Sequence, residues 1–303
     1  MLTDNPYPLT AYEEISPLCE KGHIMLVRNK LDGQLYVKKT LSGCNPEIFL
    51  RLKENPVQHT PAIFGIYKIA AEANCMNTPA VSDNDSSDSG VIIIEEYISG
   101  STLDELLRNE KRFSEKEVID ISLQLCRILL KLHRMKPAII HRDIKPSNVM
   151  LSQDGTVTLL DFNVAKIEKP YQNKDTVLLG TAGFAAPEQY GFKASSHQTD
   201  IYNLGVLMNL LLTRRLPADQ PASGKLSRII HFSIPHNRTE PCTSQHFLLR
   251  GLYGNAQILS VHALIQTLAT HHRVPAGTIG NHGRTYCGVN SAGDLPTDLA
   301  SSD

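Results

Sequence analysis

The stretch that decides the fold is His141-Arg142-Asp143-Ile144-Lys145-Pro146-Ser147-Asn148. Asp143 and Asn148 stand five residues apart within it. Two short apolar runs follow, separated by Asp154-Gly155, and this turn signal predicts a β-hairpin. Asp161 comes directly after the second run. The hairpin is therefore expected to return the chain and to place Asp161 beside Asp143 and Asn148.

This cluster has the donor atoms of a magnesium site. Two carboxylates, from Asp143 and Asp161, and the amide oxygen of Asn148 are hard oxygen donors, which suit Mg²⁺ when phosphate or water supplies the other ligands. Lys145 stands two residues after Asp143 and can reach the same place to neutralise a transferring phosphate. The alternative, from spacing alone, is a surface loop of structural ion pairs.

Three motifs in order resemble those of protein kinases. His141 to Asn148 resembles the catalytic loop, and Asp161-Phe162-Asn163 resembles the metal-binding DFG motif with its last residue changed. Ala186-Pro187-Glu188 resembles the APE motif that closes the activation segment. The resemblance covers roughly Pro17 to Asp219. It implies a two-lobed α+β fold, with a small β-rich first lobe and a mainly helical second lobe.

The resemblance implies a catalytic role for five residues of the second lobe. Asp143 would accept or orient the proton of the substrate hydroxyl. Lys145 resembles the Ser/Thr-specific class, in which it contacts the γ-phosphate, and Thr181 would close the substrate side. Asn148 and Asp161 would hold the Mg²⁺ ions that bridge the phosphates of ATP. The implied activity is phosphoryl transfer from ATP to Ser or Thr of a protein substrate.

The resemblance also implies that the first lobe supplies a lysine that binds the phosphates of ATP. In Tyr36-Val37-Lys38-Lys39, the final lysine is expected to bind the α- and β-phosphates, while Lys38 faces away by strand alternation. Its acidic partner is expected to be Glu47, with Glu54 as the alternative. By the same resemblance, Glu95 occupies the position that controls access to the back of the adenine pocket, where a carboxylate is unusual. Either it pairs with a buried cation or the alignment is shifted by one residue.

The adenine pocket and the phosphate-covering loop are assigned by the same resemblance. Three apolar side chains and two hinge residues are expected around adenine: Leu26, Val37, Met150, Glu96 and Ile98. The glycine-rich loop is reduced to Gly22, whose neighbours lack the glycines that let backbone amides approach phosphate closely. The change from glycine to Asn163 is expected to be milder, because Asn tolerates positive φ.

The order of elements favours the two-lobed architecture. Strand patterns dominate up to residue 98 and helical patterns follow, with Ser114 as a helix N-cap. The expected domains are 12–98, with a mobile polar insert at about 77–90, then 99–230, and finally an atypical tail at 231–303. Asp200 is expected to brace the backbone of the catalytic loop.

The tail is unusual in composition. No lysine follows Lys225, whereas seven of the twelve histidines do. These histidines lack a tight metal-ligand spacing apart from the adjacent His271-His272, so a charge-poor irregular tail is favoured over a metal site. No kinase signature follows residue 230, which leads to the hypothesis that the reading frame shifts near that point.

Length, charge and cysteine usage bear on nucleic-acid binding, membrane insertion and cellular location. The chain has 303 residues and a net charge of −1, so no basic footprint indicates nucleic acid. The longest apolar run, Leu204 to Leu212, is shorter than the roughly 20 residues that a membrane span needs. No signal peptide is evident. Six cysteines without CxxC pairing favour reduced thiols and a cytoplasmic location. The oligomeric state stays open.

Three functions compete. The first is an active Ser/Thr kinase. The second is a pseudokinase or nucleotide-binding scaffold, favoured by the poor glycine loop and the atypical tail. The third is a small-molecule phosphotransferase, which typically lacks an Ala-Pro-Glu segment. Arg142 could pair with a phosphate on the activation segment, where Thr176 and then Tyr171 are the candidate positions.

Overall fold

The computed structural model describes residues 7–20, 22–69, 90–168, 181–190, 194–234 and 260–272. All of them belong to one compact unit, Met1–His272. Some sequence predictions lie outside the described residues: most of the insert at 77–90, the candidate phosphorylation sites Tyr171 and Thr176, and His236, His246 and His282.

Five antiparallel strands form the sheet of the first lobe, in the order β1-β2-β3-β5-β4. They are β1 (Tyr12–Pro17), β2 (Ile24–Asn29), β3 (Leu35–Leu41), β4 (Ile63–Lys68) and β5 (Val91–Glu96). The strand β3 lies at the centre of this sheet, between β2 and β5. Its even-numbered and odd-numbered residues face opposite sides, as the pleat requires.

In the described part of the first lobe, the helix α1 (Pro46–Glu54) packs against β4. It begins at Pro46, where proline is tolerated in the first turn, and Asn45 caps it by accepting a hydrogen bond from the Glu47 amide. The helix buries Ile48, Phe49 and Leu52 and leaves Glu47 exposed. Its inward face is therefore apolar.

The second lobe is mainly helical. Its helices in the described part of the chain are α2 (Leu103–Arg108), α3 (Glu115–Arg134), α4 (His197–Thr213), α5 (Ser227–Ser233) and α6 (Val261–His272). The predicted cap is confirmed, since the Ser114 hydroxyl accepts from the Glu117 amide and the Glu117 carboxylate accepts from the Ser114 amide. The apolar face of α3 is buried from Val118 to Leu132.

Close packing of α4 against α5 depends on Gly205. A Cβ atom at this position would lie 2.7 Å from the Cβ of Ser233. Only glycine allows the two helices to approach this closely without displacing one of them. The contact fixes the C-terminal half of α4, the helix that begins beside the catalytic loop.

The C-terminal helices join the core of the second lobe. The domain boundary predicted at residue 230 falls inside α5. The helix α6 packs against α3 and buries Val261, Leu264 and Leu268 in the same apolar cluster as the rest of the lobe. The described part of the predicted tail thus contributes to the core, and the shifted reading frame stays a hypothesis.

Two small sheets carry the catalytic loop. One has the order β6-β8-β9, with β6 (Ser101–Thr102), β8 (Val149–Leu151) and β9 (Val157–Leu159), and the other pairs β7 (Ile139–Ile140) with β10 (Lys166–Ile167). The hairpin predicted at Asp154-Gly155 is confirmed. The α+β two-lobed fold predicted from the sequence is confirmed as well. No helix among the described residues is long and apolar enough to cross a membrane.

Candidate active site

The backbone of the catalytic loop is held from below by Asp200, at the N-terminal end of α4. One carboxylate oxygen accepts from the Arg142 amide at 2.8 Å, and the other accepts from the His141 amide at 3.0 Å. The Nε2 atom of His133 lies 2.7 Å from the second oxygen. Burial by itself raises the pKa of Asp200, but the hydrogen bond with His133 and the nearby donors hold this pKa below its usual value. The predicted brace is confirmed.

Three side chains orient the carboxylate of Asp143. The Thr181 hydroxyl donates to Oδ1 at 2.9 Å, and the Lys145 ammonium lies 2.7 Å from Oδ2. The amide of Asn148 also donates to Oδ2, at 2.8 Å. The Lys145 ammonium donates in turn to the Thr181 hydroxyl at 2.8 Å. The three residues predicted as catalytic therefore form one connected network around a single carboxylate.

The backbone is strained at two residues close to this network in sequence, one in the catalytic loop and one after the hairpin. Arg142 has φ of 68° and Asp161 has φ of 63°, in the left-handed region that non-glycine residues rarely occupy. The Arg142 guanidinium donates to the Val164 carbonyl at 2.6 Å, and Gln189 donates to the Arg142 carbonyl at 2.8 Å. Such contacts keep a strained backbone in place, as is common at functional sites.

Asn148 and Asp161 present oxygen atoms suited to a cation. The amide nitrogen of Asn148 donates to the backbone carbonyl of Asp143, which leaves its carbonyl oxygen on the other side of the amide. One carboxylate oxygen of Asp161 lies 3.9 Å from the Lys39 ammonium. Among the described residues, no group of three or more His, Cys, Asp or Glu side chains could hold a metal ion. The donor set fits Mg²⁺, which takes few protein oxygens and completes its shell with phosphate and water.

Phe162 anchors the motif that carries Asp161. Its ring is buried and meets the His141 ring edge-on, with centroids 4.9 Å apart. The His141 Nε2 atom lies 3.0 Å from the Leu160 carbonyl. Positive φ was expected at Asn163, where related motifs have glycine, but among the described non-glycine residues the motif's only positive φ is at Asp161. The expected reason for tolerating Asn163 is therefore wrong.

Lys39 on β3 does not pair with the helix glutamate. Its ammonium lies 2.6 Å from the Glu95 carboxylate, and the two side chains are only 5% and 7% exposed. Glu47 is exposed on the outer face of α1, so the predicted Lys39–Glu47 pair is wrong. Glu54, the alternative, is exposed too. Of the two interpretations of Glu95, pairing with a buried cation is confirmed.

Lys38 occupies the opposite face of the same strand. Its ammonium lies 2.7 Å from Glu14, and these two side chains are 20% and 51% exposed. The alternation predicted from the sequence is confirmed by this contrast. Two adjacent lysines thus have carboxylate partners in very different surroundings.

Of the residues predicted around adenine, Val37 shares β3 with Lys39, and Leu26 and Glu96 lie on the neighbouring strands β2 and β5. Leu26 on β2 is opposite Val37 on β3, and Met150 lies on β8. The backbone amide of Glu96 donates to the Ala62 carbonyl at 2.9 Å. Gly22 has φ of 68° and closes a turn by donating to the Cys19 carbonyl. These placements agree with the predicted pocket, whose ligand contacts stay predictions.

Some supporting contacts were not predicted from the sequence. Glu188, of the predicted APE motif, accepts from the Thr199 hydroxyl at 2.7 Å. Gln189, the next residue, joins the activation segment to the catalytic loop through the Arg142 carbonyl. A polar residue directly after the APE motif was the only available signal for this link.

Comparison with known proteins agrees with this geometry. The family model described as "Protein kinase domain" matches residues 21–248, and the chain belongs to this family. Mitogen-activated protein kinase kinase 9 of Arabidopsis thaliana is 27% identical over 75% of this chain and 72% of its own length.

Two bacterial relatives have printed names of the same kind. A probable serine/threonine-protein kinase of Clostridium acetobutylicum is 32% identical over 48% of this chain. The serine/threonine-protein kinase PknB of Mycolicibacterium smegmatis is 27% identical over 64% of this chain. The chain spans 22% of the length of the first relative and 30% of that of the second. Protein kinases in general use ATP and Mg²⁺.

Proposed function

We propose that this chain is a protein serine/threonine kinase that transfers the γ-phosphoryl group of Mg-ATP to Ser or Thr hydroxyls of proteins. The observation that carries the proposal is the network at Asp143, in which Lys145 and Thr181 contact the carboxylate and each other. A scaffold that only binds nucleotide has no use for this arrangement.

The proposed mechanism assigns the proton and the charge to separate groups. Asp143 orients the substrate hydroxyl and accepts its proton as the oxygen attacks, a role that typically contributes about 10²–10⁴-fold. Lys145 places a positive charge beside the transferring phosphoryl group, where negative charge must be stabilised. Thr181 limits the space on the substrate side and keeps both groups in register through its hydroxyl.

Asn148 and Asp161 are proposed to hold Mg²⁺ through their oxygen atoms. The metal would neutralise phosphate charge and bridge phosphate oxygens. Lys39 is proposed to bind the α- and β-phosphates. Adenine would lie between the side chains and hinge backbone assigned above, namely Leu26, Val37, Met150, Glu96 and Ile98, with Gly22 in the loop over the phosphates.

Two alternatives are less well supported. A pseudokinase is favoured by the single glycine of the phosphate-covering loop and by the atypical tail, whereas Lys39, Asp143, Asn148 and Asp161 are all retained. A small-molecule phosphotransferase is disfavoured by the segment that carries Glu188 and leads into α4. The names of the bacterial relatives, both serine/threonine-protein kinases, support the protein-directed activity.

The partner and the location are proposed from the net charge and the free cysteines. The proposed partner is a protein with an accessible Ser or Thr, and the near-zero net charge gives no support for nucleic acid. Cys19, Cys44 and Cys126 are free thiols in the described part of the chain, which supports a cytoplasmic, reducing location.

A phosphate-transfer assay tests the proposal. Wild type and Asp143→Ala are incubated with radiolabelled Mg-ATP and generic Ser/Thr protein substrates. We expect labelled phosphoserine or phosphothreonine with wild type and loss of transfer with the variant. Binding of ATP by both proteins without transfer by either would favour the scaffold.

A further inference from the structure

The acidic partner of Lys39 comes from the sheet. On the paired strands β3 and β5, Lys39 is opposite Ile93 and Val37 is opposite Glu95. Lys39 and Glu95 are therefore diagonal neighbours on the same face of the sheet, at a separation that long side chains bridge. Their charged groups meet at 2.6 Å. The pair is built entirely from two adjacent, hydrogen-bonded strands.

The helix α1 offers no competing acid. Its inward side chains are apolar, and its acidic residues Glu47 and Glu54 are exposed. Its basic residues are engaged elsewhere, since Arg51 donates to the Pro137 carbonyl and Lys53 to the Phe64 carbonyl. Both partners of the Lys39–Glu95 ion pair thus lie on the sheet, and neither belongs to α1.

The surroundings of Lys39 make its partner indispensable. A buried ammonium is costly unless a carboxylate is close and well oriented. Burial lowers the pKa of Lys39, but Glu95 and then Asp161 raise it above its ordinary value, so the group stays an ammonium ion. Among the described residues, these two carboxylates are the charged groups that act on it. Asp161 is the more distant, at 3.9 Å, and is expected to serve the metal.

We infer that Glu95 is the positioning residue of the nucleotide site: it holds the Lys39 ammonium in place from within the sheet, independently of α1. The inference rests on the proposed function, because Lys39 is the residue assigned to the phosphates. It also implies that movement of α1 cannot switch the enzyme by making or breaking this ion pair.

The kinetic test compares two Glu→Gln changes on the same sheet. Glu95→Gln removes the buried partner of Lys39. Glu14→Gln removes the exposed partner of Lys38, the residue next to Lys39 on β3. We expect Glu95→Gln to lower kcat/KM for Mg-ATP by about 10–100-fold, since small misplacement of a binding group has effects of this size. Glu14→Gln should stay within about twofold of wild type.

The division between KM and kcat separates positioning from folding. A loss of stability alone would lower the active fraction, and hence kcat, at unchanged KM, whereas a misplaced Lys39 raises KM for Mg-ATP. Glu95→Asp, which retains the charge, should recover part of the loss. Full activity of Glu95→Gln, or loss of activity in Glu47→Gln but not in Glu95→Gln, would overturn the inference.

A second measurement does not need catalysis. Acylation of Lys39 by an amine-reactive reagent is followed by mass spectrometry as a function of pH, with Lys38 of the same molecule as the internal control. In Glu95→Gln the midpoint for Lys39 should fall, because burial then acts against Asp161 alone, and that for Lys38 should not move. If Glu95→Gln does not fold, Glu95→Asp is compared with wild type, and a shift confined to Lys39 is again expected.

The two measurements distinguish failure of the inference from failure of the proposed function. If wild type transfers no phosphate but the Lys39 midpoint shifts, the proposed function fails and the role of Glu95 in holding Lys39 stands. If wild type is active and neither KM nor the midpoint changes in Glu95→Gln, the inference is overturned and the proposed function stands.

Discussion

The two sides of the proposed active site are built in different ways. The lower side, His141 to Asn148 with Thr181, has a carboxylate contacted by three side chains and a backbone braced by the buried Asp200. The upper side has one buried lysine held closely by one carboxylate, Glu95, on the neighbouring strand. The lower side is a network that spans several elements, and the upper side is one ion pair inside a sheet.

This difference indicates where each side is sensitive to change. In the network, the loss of one supporting residue leaves other contacts in place. Large losses of activity or stability are therefore expected only when Asp143, the central carboxylate, or Asp200, the buried brace, is substituted. On the upper side, Lys39 has no second close partner among the described residues. The loss of the Glu95 carboxylate should therefore weaken the binding of Mg-ATP. The experiments below test this contrast, from the largest expected effect to the smallest.

The central carboxylate of the network should have the largest effect. Asp143→Asn retains the shape of the side chain but cannot accept the substrate proton, so we expect kcat to fall by about 10²–10⁴-fold. Affinity for Mg-ATP and the melting temperature should change little. Asp219→Asn, at an exposed position of the same lobe, is the control. Retention of more than a tenth of wild-type kcat in Asp143→Asn would contradict the assigned role.

The brace comes second. Asp200→Asn removes the buried charge that accepts from His141 and Arg142 and pairs with His133. Breaking a buried pair in this way costs about 3–5 kcal/mol, so we expect this reduction in the free energy of unfolding and a matching loss of active protein. Urea denaturation at pH 7 measures it. A change below about 1 kcal/mol would mean that the loop does not depend on Asp200.

The same residue gives wild type an acid-sensitive stability. The pKa of Asp200 is lower in the folded than in the unfolded chain, so its contribution is present above the unfolded value of about 3.9 and is lost as pH falls through the lower folded-state pKa. In denaturation series from pH 7 to pH 3, the difference in the free energy of unfolding between wild type and Asp200→Asn should therefore narrow in the acid range. A constant difference across the series would contradict this assignment.

Gly22 tests the upper side without touching the ion pair. Its φ of 68° suits glycine, and a Cβ atom there would meet nothing within 4 Å, so any cost of substitution is conformational. Gly22→Ala should cost about 1 kcal/mol in this turn and raise KM for Mg-ATP by about fivefold. Gly22→Asn should have a smaller effect, because Asn tolerates this conformation. Equal effects of Ala and Asn would argue against a backbone origin.

The smallest effect is expected far from both sides, at the start of α3. Ser114→Ala removes the N-cap and should lower the free energy of unfolding by about 1 kcal/mol, with kcat unchanged per folded molecule. Lys111 and Ser114 lower the pKa of Glu117 to about 2, which indicates a well-formed cap. Ser114→Asp should retain most of the stability. A change in kcat of the folded protein would show unexpected coupling between α3 and the site.

Sequence reasoning reached the lower side because its information is local. Asp143, Lys145 and Asn148 lie within six residues, and one hairpin brings Asp161 back to them. The upper side depends on the register between β3 and β5, which are separated in sequence by α1, β4 and a long insert. That register places Glu95 beside Lys39, and no pattern within either strand specifies it. The resemblance therefore led to the wrong partner for Lys39, namely Glu47 on the helix, whereas the partner is Glu95 on the sheet.

The end of the second lobe could not be predicted for a related reason. The apolar positions of α6 resemble those of many short amphipathic helices, and the loss of lysine after Lys225 suggested an irregular tail. Burial of Leu264 and Leu268 depends on contact with α3, more than a hundred residues earlier in the chain. The hydrogen bond from Thr199 to Glu188 is likewise a tertiary contact that the sequence did not predict.

The most direct test of the contrast is a double-mutant cycle on affinity for Mg-ATP, with Lys39→Met and Glu95→Gln made singly and together. If Glu95 acts by holding Lys39, Glu95→Gln should weaken binding about tenfold or more in the wild-type background and by less than about twofold in the Lys39→Met background. Equal, additive losses in the two backgrounds would show that Glu95 acts independently of Lys39 and would contradict the account.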